Sequence, residues 1–223
     1  MISVVIPTLG EAETLPFLLE KLRQCPQIGE ILVSDGGSSD TTATVAREGG
    51  AMVIQSARGR GPQLNAGARA ASGEVLWFLH ADCWPEKSCA GHIERAVENG
   101  ALGGNFRLKF RGHGFYPRLF ERIARVQRRF GIFYGDSGIW ATRATFFALG
   151  EFPDWPLFED LAFARRLEKT GRARVLPARV WASARRFETQ PARVLKLWLE
   201  LQIRFELGQS PHELARIYRE KAA

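Results

Sequence analysis

Four groups of side chains in this sequence have types and spacings that suit chemistry. Asp35 ends the apolar run Ile31-Leu32-Val33-Ser34 and leads into Gly36-Gly37-Ser38-Ser39-Asp40, a loop by composition. A carboxylate there can accept a hydrogen bond from a base imide N–H, such as uracil offers, or it can cap a turn. His80-Ala81-Asp82 closes a second apolar run, Val75 to Leu79. A hard divalent cation takes oxygen ligands and is often held by one or two carboxylates together with substrate phosphates. Asp82 equally suits a helix cap ahead of Pro85. Glu159-Asp160 opens a helical pattern, where the helix dipole favours acids and where a positioned carboxylate can take a proton from a hydroxyl. Two arginine pairs, Arg58 with Arg60 and Arg185 with Arg186, have the bidentate geometry that grips phosphate oxygens. Each pair also reads as surface charge.

The elements that must position these groups follow from hydrophobic periodicity. Ile2 to Pro7, Ile31 to Ser34, Ala51 to Gln55 and Val75 to Leu79 are short apolar runs. Between them lie helical patterns: Glu13 to Gln24 with Leu15, Leu18, Leu19 and Leu22 on one face, Thr41 to Gly49 behind an Asp40 cap, and Ala-rich Gly61 to Ala71. Pro85 to Glu98 reads as a further helix. Continuous rather than alternating apolar strands, each followed by a helix, predict a parallel sheet covered on both faces. Ligands of such sheets bind at the carboxyl ends of the strands, and all the polar clusters of the first half sit there. Further on, Gly103 to Phe110 alternates as a strand. Phe115 to Phe130, Phe158 to Lys169, Ala192 to Leu207 and Pro211 to Lys221 read as helices, and Gly135-Asp136-Ser137-Gly138 as a loop before a short strand.

Composition bounds the reading. With 223 residues, 45% of them hydrophobic, the chain suits one α/β domain with a helical extension and can bury a core without staples. Three cysteines, Cys25, Cys83 and Cys89, lack metal-site spacing and read as reduced thiols. The first residues have the pattern of a strand rather than of a leader peptide, and no apolar stretch is long enough to span a bilayer. A cytoplasmic location is therefore expected. The net charge of +7 is uneven: residues 1–106 carry −4 and residues 107–223 carry +11. The basic half is the expected home of an anionic partner. The P-loop, the G-x-G-x-x-G fingerprint, H-E-x-x-H and G-x-S-x-G are all missing.

The order of the motifs is more specific than any one of them. Val4-Val5-Ile6-Pro7-Thr8 with Glu11 is followed by Val33-Ser34-Asp35-Gly36-Gly37-Ser38-Ser39-Asp40-Thr41-Thr42. Then come Gly59-Arg60-Gly61-Pro62-Gln63-Leu64-Asn65-Ala66-Gly67, Leu79-His80-Ala81-Asp82, Gly135-Asp136-Ser137-Gly138-Ile139 and Phe158-Glu159-Asp160. In this the chain resembles the family 2 glycosyltransferases over about residues 1–170, and looks closest to a small, soluble, bacterial-type branch. The resemblance implies an α/β protein of GT-A fold: a Rossmann-like, mostly parallel sheet flanked by helices, with C-terminal helices added. The expected division is a GT-A domain over 1–190 and a helical extension over 191–223 packed on it.

The resemblance also implies roles. Pro7, Thr8, Glu11 and Asp35 would hold the nucleotide base of a nucleotide-diphosphate sugar, UDP-linked by preference and GDP-linked as the other candidate. Arg58, Arg60, Asn65, Ala81, Asp82, Arg185 and Arg186 complete the expected nucleotide contacts. Asp82 and His80 would bind a divalent cation, Mn²⁺ or Mg²⁺. Asp160, beside Glu159, would be the base of an inverting transfer to a hydroxyl or lipid-linked acceptor. The chain departs from the family at His80, where a second carboxylate is usual. The basic amphipathic stretches 115–130 and 192–207 either lie on an anionic membrane surface, at the inner face, or pack on the sheet. A sugar-nucleotide nucleotidyltransferase would carry a Gly-rich basic loop where Pro7-Thr8-Leu9-Gly10-Glu11 stands. A non-catalytic membrane- or nucleic-acid-binding protein would leave Asp82 and Asp160 without roles, and no nucleic-acid motif is present.

Overall fold

The structure, a computed structural model, describes residues 1–112, 114–184 and 190–222. Its first half is a run of parallel strands, β1 (Ile2–Thr8), β2 (Ile28–Asp35), β3 (Met52–Gln55) and β4 (Val75–Phe78), joined by α1 (Leu15–Arg23), α2 (Thr42–Glu48) and α3 (Arg60–Ala70). All seven residues of β1 are buried. The reason is the pleat, which sends successive side chains to opposite faces. Ile2, Val4 and Ile6 pack with Leu15, Leu18, Leu19 and Leu22 of α1 on one side. Val5, Leu32 and Leu76 pack with Leu64 and Ala68 of α3 on the other. With both faces covered, both alternate sets are largely apolar, and the buried polar residues of the strand are hydrogen-bonded, Ser3 to Glu30 Oε1 and Thr8 to Asp35 Oδ1.

The second half adds β5 (Cys83–Pro85), α4 (Cys89–Glu98), β6 (Gly103–Arg111), α5 (Phe115–Arg129), a 3-10 turn at Gly135–Ser137, β7 (Trp140–Thr142), α6 (Arg143–Ala148), α7 (Glu159–Glu168), β8 (Ala173–Ser183), α8 (Pro191–Glu206) and α9 (Pro211–Ala222). The strand order is β3-β2-β1-β4-β7-β6-β8-β5. β7 runs antiparallel to β4 and to β6, and β5 antiparallel to β8, so the sheet is mixed beyond β4. One local expectation changes. Residues 83–85, the last of which was expected to begin a helix at Pro85, extend as β5, because Trp84 pairs with Trp181 of β8. β8 itself and α6 have no clean periodic signal: Arg174, Pro177 and Arg179 interrupt the β8 pattern.

Gly104 sits where β6 is paired on both sides. A Cβ there would lie 1.9 Å from the Arg174 carbonyl oxygen, so the strands meet only because residue 104 is glycine. α8 and α9 pack against the body of the fold. Leu197 and Leu201 of α8 and Leu214 of α9 join Phe158 and Leu161 in one cluster, while Phe120 of α5 meets Trp198 edge-on at 6.2 Å. No described helix is long and apolar enough to cross a membrane.

Candidate active site

Register brings the first pair of residues together. Thr8 and Asp35 are direct neighbours at the carboxyl ends of β1 and β2. Thr8 Oγ1 donates to Asp35 Oδ1 at 3.3 Å, and Ser38 Oγ donates to the same oxygen. The backbone N–H groups of Gly37 and Ser38 donate to Oδ2 at 3.3 and 3.0 Å. Burial alone would raise this carboxyl's pKa, but the four donors outweigh it and hold the group below the ordinary carboxylate range. Each oxygen already accepts two hydrogen bonds, so Asp35 shapes the loop as well as facing it. Gly10 N–H donates to Ser38 Oγ and Glu11 N–H to Thr42 Oγ1, fastening the loop after β1 to the loop after β2. Glu11 Oε2 accepts from Thr14. Asp40 accepts from the Thr42 N–H at 3.0 Å, tying down the first residue of α2.

The second group forms around Gly135. His80 Nδ1 lies 2.8 Å from Asp136 Oδ1. Burial by itself would lower the His80 pKa; the hydrogen bond and charge of Asp136 reverse the sign and raise it. Asp160 Oδ2 accepts from the Gly135 N–H and Oδ1 from the Leu161 N–H, both at 2.7 Å. A Cβ on residue 135 would stand 2.7 Å from His80 Nε2 and 3.4 Å from Asp160 Oδ2, so glycine is what lets imidazole and carboxylate approach. Polar ligand atoms of His80, Asp82 and Cys83 lie within 4.8 Å of one another. A tight turn with Cys83 N–H on the His80 carbonyl folds these three together.

Arg60 and Glu159 form the third group. Arg60 Nε meets Glu159 Oε1 at 2.8 Å, with 36% of the arginine side chain exposed and 1% of the glutamate. Burial, with help from neighbouring Asp160, drives the Glu159 carboxyl pKa upward against the pull of Arg60. Glu159 Oε2 has no hydrogen-bond partner among the described residues. Sequence reasoning put Glu159 beside Asp160 in the chemistry; instead it lies behind Arg60, out of reach of solvent.

Asn65 also differs from expectation. Its amide donates to the Phe152 carbonyl at 2.8 Å and accepts from the Phe152 N–H at 3.1 Å, clamping α3 to the loop ahead of α7. Pro7 and Ala81 are buried, Ala81 at 3% exposure, and Arg58 is exposed on the loop before α3. Arg185 and Arg186 lie outside the described residues.

Two participants were not singled out from sequence. Gln63 donates to the carbonyls of Thr8 at 2.7 Å and Ser34 at 2.9 Å, bracing both strand ends from α3. A polar residue at a buried position of an Ala-rich helix was the available signal. Asp136 was visible only as part of a Gly-Asp-Ser-Gly motif, because its partner His80 is 56 residues away.

Beside these groups lies a cavity of about 410 Å³, whose lining includes Arg60, Asp136 and Asp160.

A Rossmann-like half-sheet with acidic clusters at its strand ends, continued by a mixed half that returns a carboxylate to the same place, defines the GT-A class of fold. Residues 3–150 match the family model described as Glycosyl transferase family 2, and the chain belongs to that family. It is 37% identical over 116 residues to the undecaprenyl-phosphate 4-deoxy-4-formamido-L-arabinose transferase of Pectobacterium carotovorum, a match covering 46% of this chain and 34% of that one. It is 39% identical over 82 residues to an uncharacterized glycosyltransferase of Mycobacterium tuberculosis, covering 36% of each. The matched segments thus span about a third of the length of these relatives. Among solved structures it resembles the mannosyltransferase PcManGT from Pyrobaculum calidifontis in complex with GDP-Man and Mn²⁺, with TM-score 0.71 and 21% identity over 99% of this chain and 68% of that one. It also resembles S. aureus TarS in complex with UDP-GlcNAc, with TM-score 0.65 and 19% identity over 82% and 58%.

Proposed function

We propose that the protein transfers a glycosyl group from a nucleotide-diphosphate sugar to a hydroxyl or lipid-linked acceptor, with inversion at the anomeric carbon and with a divalent cation. One observation carries the reading: in a family 2 chain, Asp82, His80, Asp136, Asp160 and Arg60 converge at the strand ends beside one cavity.

The donor set fits a cation that accepts one carboxylate and one imidazole. Asp82 supplies the carboxylate. With Nδ1 of His80 donating to Asp136, Nε2 keeps its lone pair, the arrangement in which a second carboxylate orients a ligating histidine. When bound, the cation neutralises the diphosphate and makes it a better leaving group. Mn²⁺ suits this mixed set better than Mg²⁺, which favours oxygen alone.

The protein's own groups do the rest. Arg60, held by Glu159, meets the charge that grows on the departing diphosphate. Asp160 takes the proton of the attacking hydroxyl. The bond from the anomeric carbon to the diphosphate oxygen breaks as the bond to the acceptor oxygen forms on the opposite face. Two backbone N–H groups orient the Asp160 carboxylate and leave each oxygen a lone pair for that proton. The loops that follow Thr8 and Asp35, fastened to each other by hydrogen bonds, are the seat for the base, and UDP is the favoured donor nucleotide with GDP the second.

Titration of UDP and GDP with and without Mn²⁺ or Mg²⁺ tests this in wild type and Asp82→Ala. Metal-dependent binding in wild type that disappears in the variant is expected. Absence of binding by either nucleotide with metal present overturns the reading. A hydrolysis screen over UDP- and GDP-sugars then identifies the donor.

A further inference from the structure

The cavity beside Asp160 has two ends of different chemistry. Its volume of about 410 Å³ falls within the range of small-molecule sites, roughly 300–1,000 Å³. One end carries Arg60, Asp136 and Asp160. The other is walled by one hydrophobic cluster, Phe110 and Phe120, from β6 and α5, with Leu195 and Trp198 of α8. A sugar diphosphate and an acceptor hydroxyl account for the polar end. Neither suits the apolar end, where a polar group would give up water and find few partners.

A second apolar depression adjoins the apolar end. Leu195 and Leu199 line the cavity and, with Tyr116 and Ile203, an open apolar depression on the outer side of α8. Leu199 is 46% and Ile203 58% exposed, and Lys196 and Arg204 border them. Leu195 and Leu199 therefore stand between the cavity that holds the Asp160 carboxylate and an apolar depression on the protein surface.

We propose that the acceptor is an amphiphilic alcohol whose hydrocarbon chain occupies the cavity between α5 and α8 while its hydroxyl meets Asp160. This rests on the sugar-transfer reading and adds which part of the acceptor the protein recognises. In the transfer, the anomeric carbon leaves the diphosphate oxygen for the alcohol oxygen, and the alcohol proton passes to Asp160.

Linear alcohols test it directly. Butanol, hexanol, octanol and decanol are titrated calorimetrically, below their solubility limits, into the full chain with UDP or GDP and Mn²⁺. The expected result is a Kd that falls about fourfold for each methylene that enters the cavity, the equivalent of about 0.8 kcal/mol. Terminally brominated alcohols of the same lengths should quench tryptophan fluorescence, and Trp198→Phe should remove most of that quenching. Ala124→Trp, which puts an indole into the cavity, should weaken decanol by about tenfold or more and butanol much less. Equal affinity for butanol and decanol overturns the proposal in wild type alone, whatever the fate of the variants. Chain-length dependence that Ala124→Trp leaves unchanged, in a variant shown by circular dichroism to be folded, also overturns it. The two readings fail separately: lost nucleotide binding with graded alcohol binding sinks sugar transfer, and nucleotide binding with ungraded alcohol binding sinks only the acceptor site.

Discussion

Replacing Asn65 with alanine separates a structural clamp from a nucleotide contact. The Asn65 amide is paired on both sides with the backbone of Phe152, donating at 2.8 Å and accepting at 3.1 Å. Asn65 and Phe152 are 8% and 3% exposed. Truncation leaves a buried N–H and a buried carbonyl unpaired, each at a cost of about 1–3 kcal/mol. The sum is about 2–6 kcal/mol, a large fraction of the stability of an ordinary domain. Phe152 also packs on Phe78 and Phe163, both with ring centroids 4.9 Å away, so a loosened loop gives up aromatic contacts as well. For a chain of this size each kcal/mol moves Tm by about 2–4 °C, which puts the expected fall at about 4–24 °C. Calorimetric melting measures it, and UDP or GDP titration at a temperature where the variant is folded measures the other half. The folded variant should bind nucleotide as the wild type does. An unchanged Tm together with weakened nucleotide affinity would refute the clamp and restore Asn65 to the base or phosphate site.

Three other outcomes follow from the same geometry. Asp160→Asn should keep nucleotide affinity and lose transfer by about 10²–10⁴-fold, the usual worth of a general base, in single-turnover assays with the donor identified by hydrolysis; unchanged transfer removes Asp160 from that role. Glu159 has a carboxyl pKa raised on folding from 4.5 to about 7, so the folded chain holds the proton that the unfolded chain releases in that window. Its contribution is fully present below pH 4.5 and declines as pH rises through about 7; Glu159→Gln should flatten this decline in urea-midpoint measurements across the range, and an identical slope in both proteins contradicts the assignment. Gly104→Ala puts a methyl group 1.9 Å from the Arg174 carbonyl and should prevent native folding, read as loss of the cooperative melt; a normal melt would mean that β6 and β8 are not paired there.

Much of the nucleotide half was legible because its signals are local. β1 is largely apolar since α1 and α3 cover both its faces, and a nearly unbroken apolar run followed by an amphipathic helix says so without reference to distant residues. Asp35, His80 and Asp82 were legible as strand-end groups for the same reason. The second half resisted. β8 carries two arginines and a proline and is a strand because β5 and β6 flank it, a fact about pairing and not about its own residues. β5 lies in what local pattern reads as the approach to a helix.

Side-chain types and positions at element boundaries in the sequence were sufficient to nominate Asp82, Asp160 and Arg60: Asp82 follows β4, and Arg60 and Asp160 stand in the first turns of α3 and α7. Their partners were decided by tertiary structure. Asp136 meets His80, Glu159 disappears behind Arg60, and Asn65 turns to Phe152 across 87 residues of chain. Spacing along a chain reports which face of an element a residue occupies. It carries no information on which face of another element is brought against it, and at this site that second fact distinguishes a clamp, a charge holder and a base.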